Sequence, residues 1–276
     1  MFDWLQLDFM QRALVAGLTV AAICPMIGLF LVLRRLSLIG DGLGHIAFAG
    51  VAAGWLMGAY PPISALAFTT VGAVGIEWLR SRQRAYADLA LALFFYSGIS
   101  TGVVLAARQG AFNASLLGYL FGSITTISTE DLWFVFGLGL AVVVLVTVFY
   151  KELFALSYDE ATAQVSGVPV RRLNLLVALL TAVTVTVGMR IVGLLMVAAL
   201  MIVPVASALQ LARGFLATLL WSVAYSVASL AVGLALSYYL DLPPGGTIVL
   251  TAVGLFLLTL VLITSLRGLR RVTRKT

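Results

Sequence analysis

Long apolar stretches separated by short charged segments dominate this chain. A membrane-spanning helix needs about 20 predominantly apolar residues, and most of these stretches approach or reach that length. The pattern predicts nine membrane-spanning helices, at 12–33, 43–60, 62–79, 88–107, 132–150, 173–189, 191–209, 215–240 and 246–266. A shorter stretch at 111–127 contains Gly118 and Gly122 and predicts a partly inserted or interfacial helix.

The composition agrees with a lipid environment. Of the 276 residues, 62% are hydrophobic and only 10% are charged, whereas a soluble domain typically carries about 25% charged residues. Nine spans leave only short loops and no room for a separate soluble domain. We therefore expect one all-α polytopic transmembrane domain over residues 1–276, a multi-pass protein of the cell (inner) membrane.

The basic residues predict the orientation of that domain. With the N-terminus outside and nine spans, 14 of the 17 Lys and Arg residues fall on the cytoplasmic side, and only Arg12, Arg108 and Arg190 fall outside. This asymmetry follows the positive-inside rule and predicts a cytoplasmic C-terminus. Because the charges cluster at the ends of spans, the net charge of +6 does not indicate a nucleic-acid partner.

The second apolar stretch contains the only histidine, His45, four residues after Asp41. Residues at i and i+4 lie on the same face of a helix, and ionisable groups within spans usually face a bundle interior or a polar pathway. A carboxylate and an imidazole form a plausible half-site for zinc or manganese. The alternative is a packing histidine bonded to a carbonyl, with Asp41 capping the helix. Small residues along this stretch, among them Gly50 and Gly54, predict a central helix with close neighbours.

The longest predicted cytoplasmic loop, 151–172, contains its own helix signals. Ser157 and Glu160 have the spacing of a capping box, and Gly167 followed by Pro169 is a stop signal. We expect a short helix at about 158–166 outside the membrane. It would serve either for docking onto a partner or simply as a solvated surface helix.

The other acidic residues have structural interpretations. Ser128 and Asp131 repeat the capping-box pattern before the fifth span, and Asp88 is expected to cap the fourth. Glu77 is placed to pair with Arg80 at a membrane interface, and Asp241 is expected in an external turn.

Neither lysine, Lys151 or Lys275, lies in the G-x-x-x-x-G-K-[ST] context of a phosphate-binding loop. If ATP drives transport, another polypeptide must bind it. We therefore do not expect this chain to be an enzyme by itself.

Five segments resemble the permease subunit of the ATP-binding-cassette importers for zinc, manganese and sometimes iron. The most specific is RRLSLIGDGLGHIAFAGVAAG; the others are LGYLFGSITTISTEDL, DEATAQVSGV, VGLLMVAALMIVPVASALQLAR and PPGGTIVL. The family often has Ser or Ala before the histidine, where this chain has Gly44. That departure leaves both candidate ligands in place.

The resemblance implies a homodimer of permeases around a shared path, with Asp41 and His45 contacting the transported metal ion. No tightly bound cofactor is implied. It also implies two cytoplasmic ATPase subunits that bind ATP, and an extracytoplasmic metal-binding protein that delivers the ion. The expected contact with the ATPase is the loop helix, where Ala161 would allow close approach and the acids would cap the start. The residues assigned to this contact are Ser157, Asp159, Glu160, Ala161, Thr162 and Gly167.

Two other functions are compatible with the Asp41–His45 pair. A secondary metal transporter driven by protons or sodium would use it as a proton relay. An intramembrane metalloenzyme would need a third ligand and a general base, and the sequence contains no H-E-x-x-H motif to supply them.

Overall fold

A computed structural model describes residues 8–82, 87–108, 114–123 and 127–272, which contain helices and no strand. The predicted all-α class is confirmed. The helices are α1 (Asp8–Leu33), α2 (Leu38–Leu56), α3 (Pro61–Arg82), α4 (Ala87–Arg108), α5 (Ala114–Phe121), α6 (Thr129–Val148), α7 (Tyr150–Tyr158), α8 (Glu160–Val165), α9 (Val170–Gly188), α10 (Val197–Leu211), α11 (Phe215–Leu240) and α12 (Pro244–Val272).

Seven of these helices are long and apolar enough to cross a membrane: α1, α3, α4, α6, α9, α11 and α12. The other two predicted spans correspond to α2 and α10. Helix α10 has only 15 residues. Helix α2 has 19, but its glycines and the polar Asp41 and His45 reduce its apolar character. Fourteen of its 19 residues are buried, so this helix is surrounded by protein more than by lipid.

The seventh predicted span, 191–209, is wrong at its start. Residues 189–196 form turns, and helix begins only at Val197. Gly193 has a φ of +91°. The next two residues bind the end of α5 through their backbones: the Leu194 N–H donates to the Tyr119 carbonyl at 2.9 Å, and the Leu195 N–H donates to the Leu120 carbonyl at 3.3 Å. Non-helical backbone is tolerated at membrane depth where protein satisfies its polar groups in this way.

Helix α5 lies within the shorter apolar stretch, and its eight residues agree with a short helix rather than a full span. Residues 111–113 and 124–126 of that stretch lie outside the described residues. Arg84, Arg274 and Lys275, which contribute to the charge asymmetry, also lie outside them.

Helix α2 occupies the centre of the bundle, as its glycines predict, and packs against α3, α4, α9 and α10. A Cβ added at Gly50 would lie 2.6 Å from Ala65 Cα on α3. This distance is shorter than Cβ atoms keep from other heavy atoms in proteins. The absence of a side chain at this position therefore allows the two backbones to approach closely.

The two ends of the bundle carry different polar groups. At one, here called the α8 end, the α1–α2 turn meets α8, and Glu77 pairs with Arg80 at 2.9 Å as predicted. At the other, the α5 end, the start of α3, the start of α6 and the 189–196 segment meet. The predicted capping box of Ser128 and Asp131 is confirmed there.

Candidate functional site

Asp41 and His45 lie in the first two turns of α2 on the side facing α4, and both are half-buried. The His45 ring packs edge-on against Phe95 of α4, with ring centroids 4.1 Å apart. Asp41 lines a cavity of about 240 Å³ whose other walls include Asp88, Phe95 and Tyr96. Asp41 therefore lies beside a space between α2 and α4 where an ion could reach its carboxylate, and His45 packs against Phe95 at the wall of the same space.

Close packing fixes the backbone of His45 from two sides. On α4, a Cβ added at Gly98 would lie 2.8 Å from the His45 carbonyl carbon and 3.0 Å from its oxygen. On the other side, a Cβ added at Gly44 would lie 3.1 Å from the Leu194 carbonyl oxygen. The glycine that precedes the histidine thus leaves room for the 189–196 segment.

Few side chains of metal-binding type lie near the pair. Within the described ranges, no group of three or more His, Cys, Asp or Glu side chains is arranged to hold a metal ion. Two protein ligands with an open coordination sphere suit an ion that is bound and released, whereas structural zinc sites use four ligands. Asp88, interpreted from sequence only as a cap, lies in the first turn of α4 and shares the cavity with Asp41.

At the α5 end, a buried polar cluster joins three parts of the fold. The Tyr60 hydroxyl and the Arg190 guanidinium both donate to the carboxylate of Asp131, and the Ser128 N–H donates to it at 2.9 Å. The Arg190 guanidinium also lies 4.8 Å from the centre of the Tyr119 ring. Burial, followed by the hydrogen bond to Asp131, raises the pKa of Tyr60, so Tyr60 stays a neutral donor.

This cluster anchors the non-helical 189–196 segment. Arg190 lies in that segment, Asp131 lies in the first turn of α6 and Tyr60 immediately precedes α3. From the sequence, Arg190 was only one of the external basic residues, and its pairing with Asp131 was not predicted because the two residues are 59 positions apart.

At the α8 end, the capping box predicted from Ser157 and Glu160 is wrong. Helix α7 continues through Tyr158, and the Ser157 hydroxyl donates to the Leu153 carbonyl at 2.8 Å. Asp159 is the N-cap of α8: its carboxylate accepts from the Ala161 N–H at 3.0 Å and from the Thr162 hydroxyl at 2.5 Å. These hydrogen bonds, chiefly that of Thr162, lower the pKa of Asp159.

The predicted stop at Gly167 is confirmed. Gly167 has a φ of +82°; its N–H donates to the Gln164 carbonyl, and the Val168 N–H donates to the Ala163 carbonyl, both at 3.1 Å. This pair of bonds is a Schellman motif, in which glycine is favoured at the left-handed position. The short helix is therefore closed at both ends, over 160–165 rather than 158–166.

Helix α8 has two faces. Ala161, Thr162 and Val165 of α8 are exposed, Val165 at 90%, and Tyr158 at the end of α7 is 87% exposed beside them in sequence. Ala163 is buried against the bundle. Glu160, expected as a capping acid, instead reaches Arg34 at 3.4 Å and accepts from the Asn174 side chain at 3.4 Å.

Curated relatives cover almost the whole chain. A probable metal transport system membrane protein of Treponema pallidum is 38% identical over 94% of this chain and 97% of its own length. The manganese transport system membrane protein MntC of Halalkalibacterium halodurans is 31% identical, with 92% and 87% covered. The high-affinity zinc uptake system membrane protein ZnuB of Haemophilus influenzae is also 31% identical, with 92% and 97% covered.

A solved structure has the same architecture. PsaBC from Streptococcus pneumoniae in complex with Fab contains a chain that matches with a TM-score of 0.84 and 29% identity, covering 94% of this chain and 93% of that chain. Residues 6–263 match the ABC 3 transport family. The chain therefore belongs to the ABC 3 transport family.

Proposed function

We propose that this chain is the membrane permease subunit of an ATP-driven importer that moves a divalent transition metal ion, zinc or manganese, into the cytoplasm. The observation that carries the proposal is the Asp41–His45 pair on the central helix of an ABC 3 family bundle. The names of the relatives support it, since they describe manganese and zinc systems.

In this proposal the chain crosses the membrane nine times, with α2 and α10 as the two spans beyond the seven long apolar helices. The N-terminus lies outside and the C-terminus in the cytoplasm. The α8 end then faces the cytoplasm and carries Arg34, Arg80 and Arg82, in agreement with the positive-inside rule.

Asp41 and His45 contact the ion during passage. Two protein ligands from each protomer, completed by water, would replace part of the hydration shell and still allow release, as conduction through a selective path requires. The path is shared with a second copy of the chain in a homodimer, and an extracytoplasmic binding protein delivers the ion.

The metal contact is tested by reconstituting the permease with its ATPase in proteoliposomes and measuring uptake of radioactive zinc and manganese. His45→Ala and Asp41→Ala should abolish uptake while complex assembly is retained. Uptake by His45→Ala at the wild-type rate would refute the assignment. Uptake driven by a proton or sodium gradient without ATP would instead support the secondary-transporter alternative, which family membership disfavours.

Helix α8 docks onto the ATPase in this proposal, with Ala161 and Thr162 at the contact and with Asp159 and Gly167 closing the two ends of the helix. Ser157, at the end of α7, and Glu160, paired with Arg34, hold the loop against the rest of the chain. The ATPase subunits, two for each homodimer, bind and hydrolyse ATP. The supporting observation is the exposed surface of α8, on which the small Ala161 lies near the exposed Thr162 and Val165.

A bulky side chain on this face tests the docking. Ala161→Trp should abolish metal-stimulated ATP hydrolysis, because the indole would hold the two surfaces apart. The control is Ala107→Trp, the same change at an exposed position in the last turn of α4, at the α5 end of the bundle. This variant should retain metal-stimulated ATP hydrolysis. Unchanged ATPase binding and transport in Ala161→Trp would mean that α8 is only a surface helix.

A further inference from the structure

Glu160 connects α8 with the turn that begins the candidate metal-binding helix. Its carboxylate lies 3.4 Å from Arg34 Nη2, across 126 residues of sequence. The Arg34 side chain is only 6% exposed, and its Nη1 has no hydrogen-bond partner among the described residues. A buried guanidinium that loses its carboxylate is strongly destabilised, so Arg34 is held to the position of Glu160.

The turn that contains Arg34 is closed by two backbone hydrogen bonds. The Arg35 N–H donates to the Val32 carbonyl at 3.1 Å and the Leu36 N–H to the Leu31 carbonyl at 2.8 Å. This is a Schellman motif with Arg35 in the left-handed region, at a φ of +58°. Helix α2 begins three residues after Arg35, and Asp41 lies in its first turn. A displacement of Arg34 is therefore carried into the first turn of α2.

The surroundings of Glu160 leave room for such a displacement. A cavity of about 430 Å³ lies beside it, and Glu77 and Arg80 of α3 and Asn174 of α9 contribute to its walls. The same carboxylate accepts from the Asn174 amide. Glu160 thus contacts α9 as well as the α1–α2 turn, at a place where α8 and α3 are separated by open space.

We infer that Glu160 is a positioning residue that transmits the movement of α8, through Arg34, to the start of α2 and hence to Asp41. This inference rests on the proposed function, in which α8 is moved by the ATPase. This positioning role differs from the capping role that the sequence predicted for Glu160. Asp159 caps the helix instead. A bridge that only stabilised the fold would affect stability and leave the ratio of ions transported to ATP hydrolysed unchanged.

The test uses the permease with its ATPase in proteoliposomes, and measures metal uptake and ATP hydrolysis in the same sample. Glu160→Gln keeps the shape and the acceptor for Asn174 but removes the charge that holds Arg34. We expect ATPase binding and hydrolysis to be retained while the ions transported per ATP fall roughly tenfold, within the range that coupling free energies produce. Glu130→Gln, the same change at an exposed acid near the α5 end, should leave the ratio unchanged.

Arg34→Met should reproduce the loss, and the double variant with Glu160→Gln should be no worse than either single variant, because residues that act as one unit are not additive. An unchanged ratio in Glu160→Gln, or loss of ATPase binding in that variant, would overturn the inference. Absence of ATP-dependent uptake by the unmodified complex would instead refute the proposed function.

Discussion

Replacing Arg190 with methionine tests the anchoring of the non-helical segment between α9 and α10. The substitution keeps much of the side-chain volume and removes the positive charge beside Asp131. Asp131 is 1% exposed and Arg190 11% exposed, so the carboxylate would remain buried without its cationic partner.

The expected cost follows from this burial. Removing one partner of a buried ion pair costs about 3–5 kcal/mol. Asp131 would keep the Tyr60 hydroxyl and the Ser128 N–H as donors, which places the expected loss near the lower limit, ~3 kcal/mol. At ~2–4 °C for each kcal/mol in a chain of this size, the thermal midpoint should fall by about 6–12 °C.

The chain contains a suitable reporter for this measurement. Cys24 is its only cysteine and is completely buried in α1, so a thiol-reactive fluorophore will label it only as the bundle opens on heating. The control is Arg172→Met, the same change at an exposed arginine of α9, which should shift the midpoint by no more than ~2 °C because surface substitutions usually have small effects.

A double variant distinguishes an unpaired charge from lost packing. Asp131→Asn combined with Arg190→Met removes both charges and should be more stable than Arg190→Met alone, since replacing a whole buried pair is far less costly than breaking it. An Arg190→Met midpoint equal to that of the wild type, or a double variant less stable than the single one, would refute the reasoning.

Two further predictions follow from the packing of α2 and from the proposed orientation. Gly98→Ala places a Cβ 2.8 Å from the His45 backbone, so the free energy of unfolding should fall by ~1–3 kcal/mol from overpacking, and metal uptake should fall because His45 is displaced. Gly137→Ala, with nothing within 4 Å, is the control, and equal stability and uptake in both variants would contradict the close contact. A cysteine at the exposed Ser81 should react with a membrane-impermeant reagent only from the cytoplasm, and one at Met57, which is 66% exposed, only from outside; the reverse labelling would overturn the orientation.

Local patterns in the sequence were enough to predict much of the architecture. Apolar runs of span length identified seven helices that the structure supports as candidate spans. The Gly167 stop, the Ser128–Asp131 capping box and the Glu77–Arg80 pair were also predicted correctly. Each of these features involves residues within a few positions of one another, so its cause is visible in a short window of sequence.

The same local rules failed where two similar signals competed. Ser157 and Asp159 are both good N-caps, and the choice between them depends on where α7 ends. Helix α7 continues to Tyr158 because Leu153 and Leu156 are buried in the bundle. Tertiary packing therefore makes Asp159 the N-cap of α8 and leaves the Glu160 side chain to pair with Arg34.

The sequence by itself determined that this is a helical membrane protein with one Asp–His pair on one face of a glycine-rich helix. Only the tertiary structure decided what surrounds that pair: the 189–196 segment against Gly44, the Arg190–Asp131 anchor, and the link from Glu160 to the turn before α2. The physical reason is sequence separation. Hydropathy and capping act over a few residues, whereas these contacts join residues 59 to about 150 positions apart, and are formed only when the helices pack.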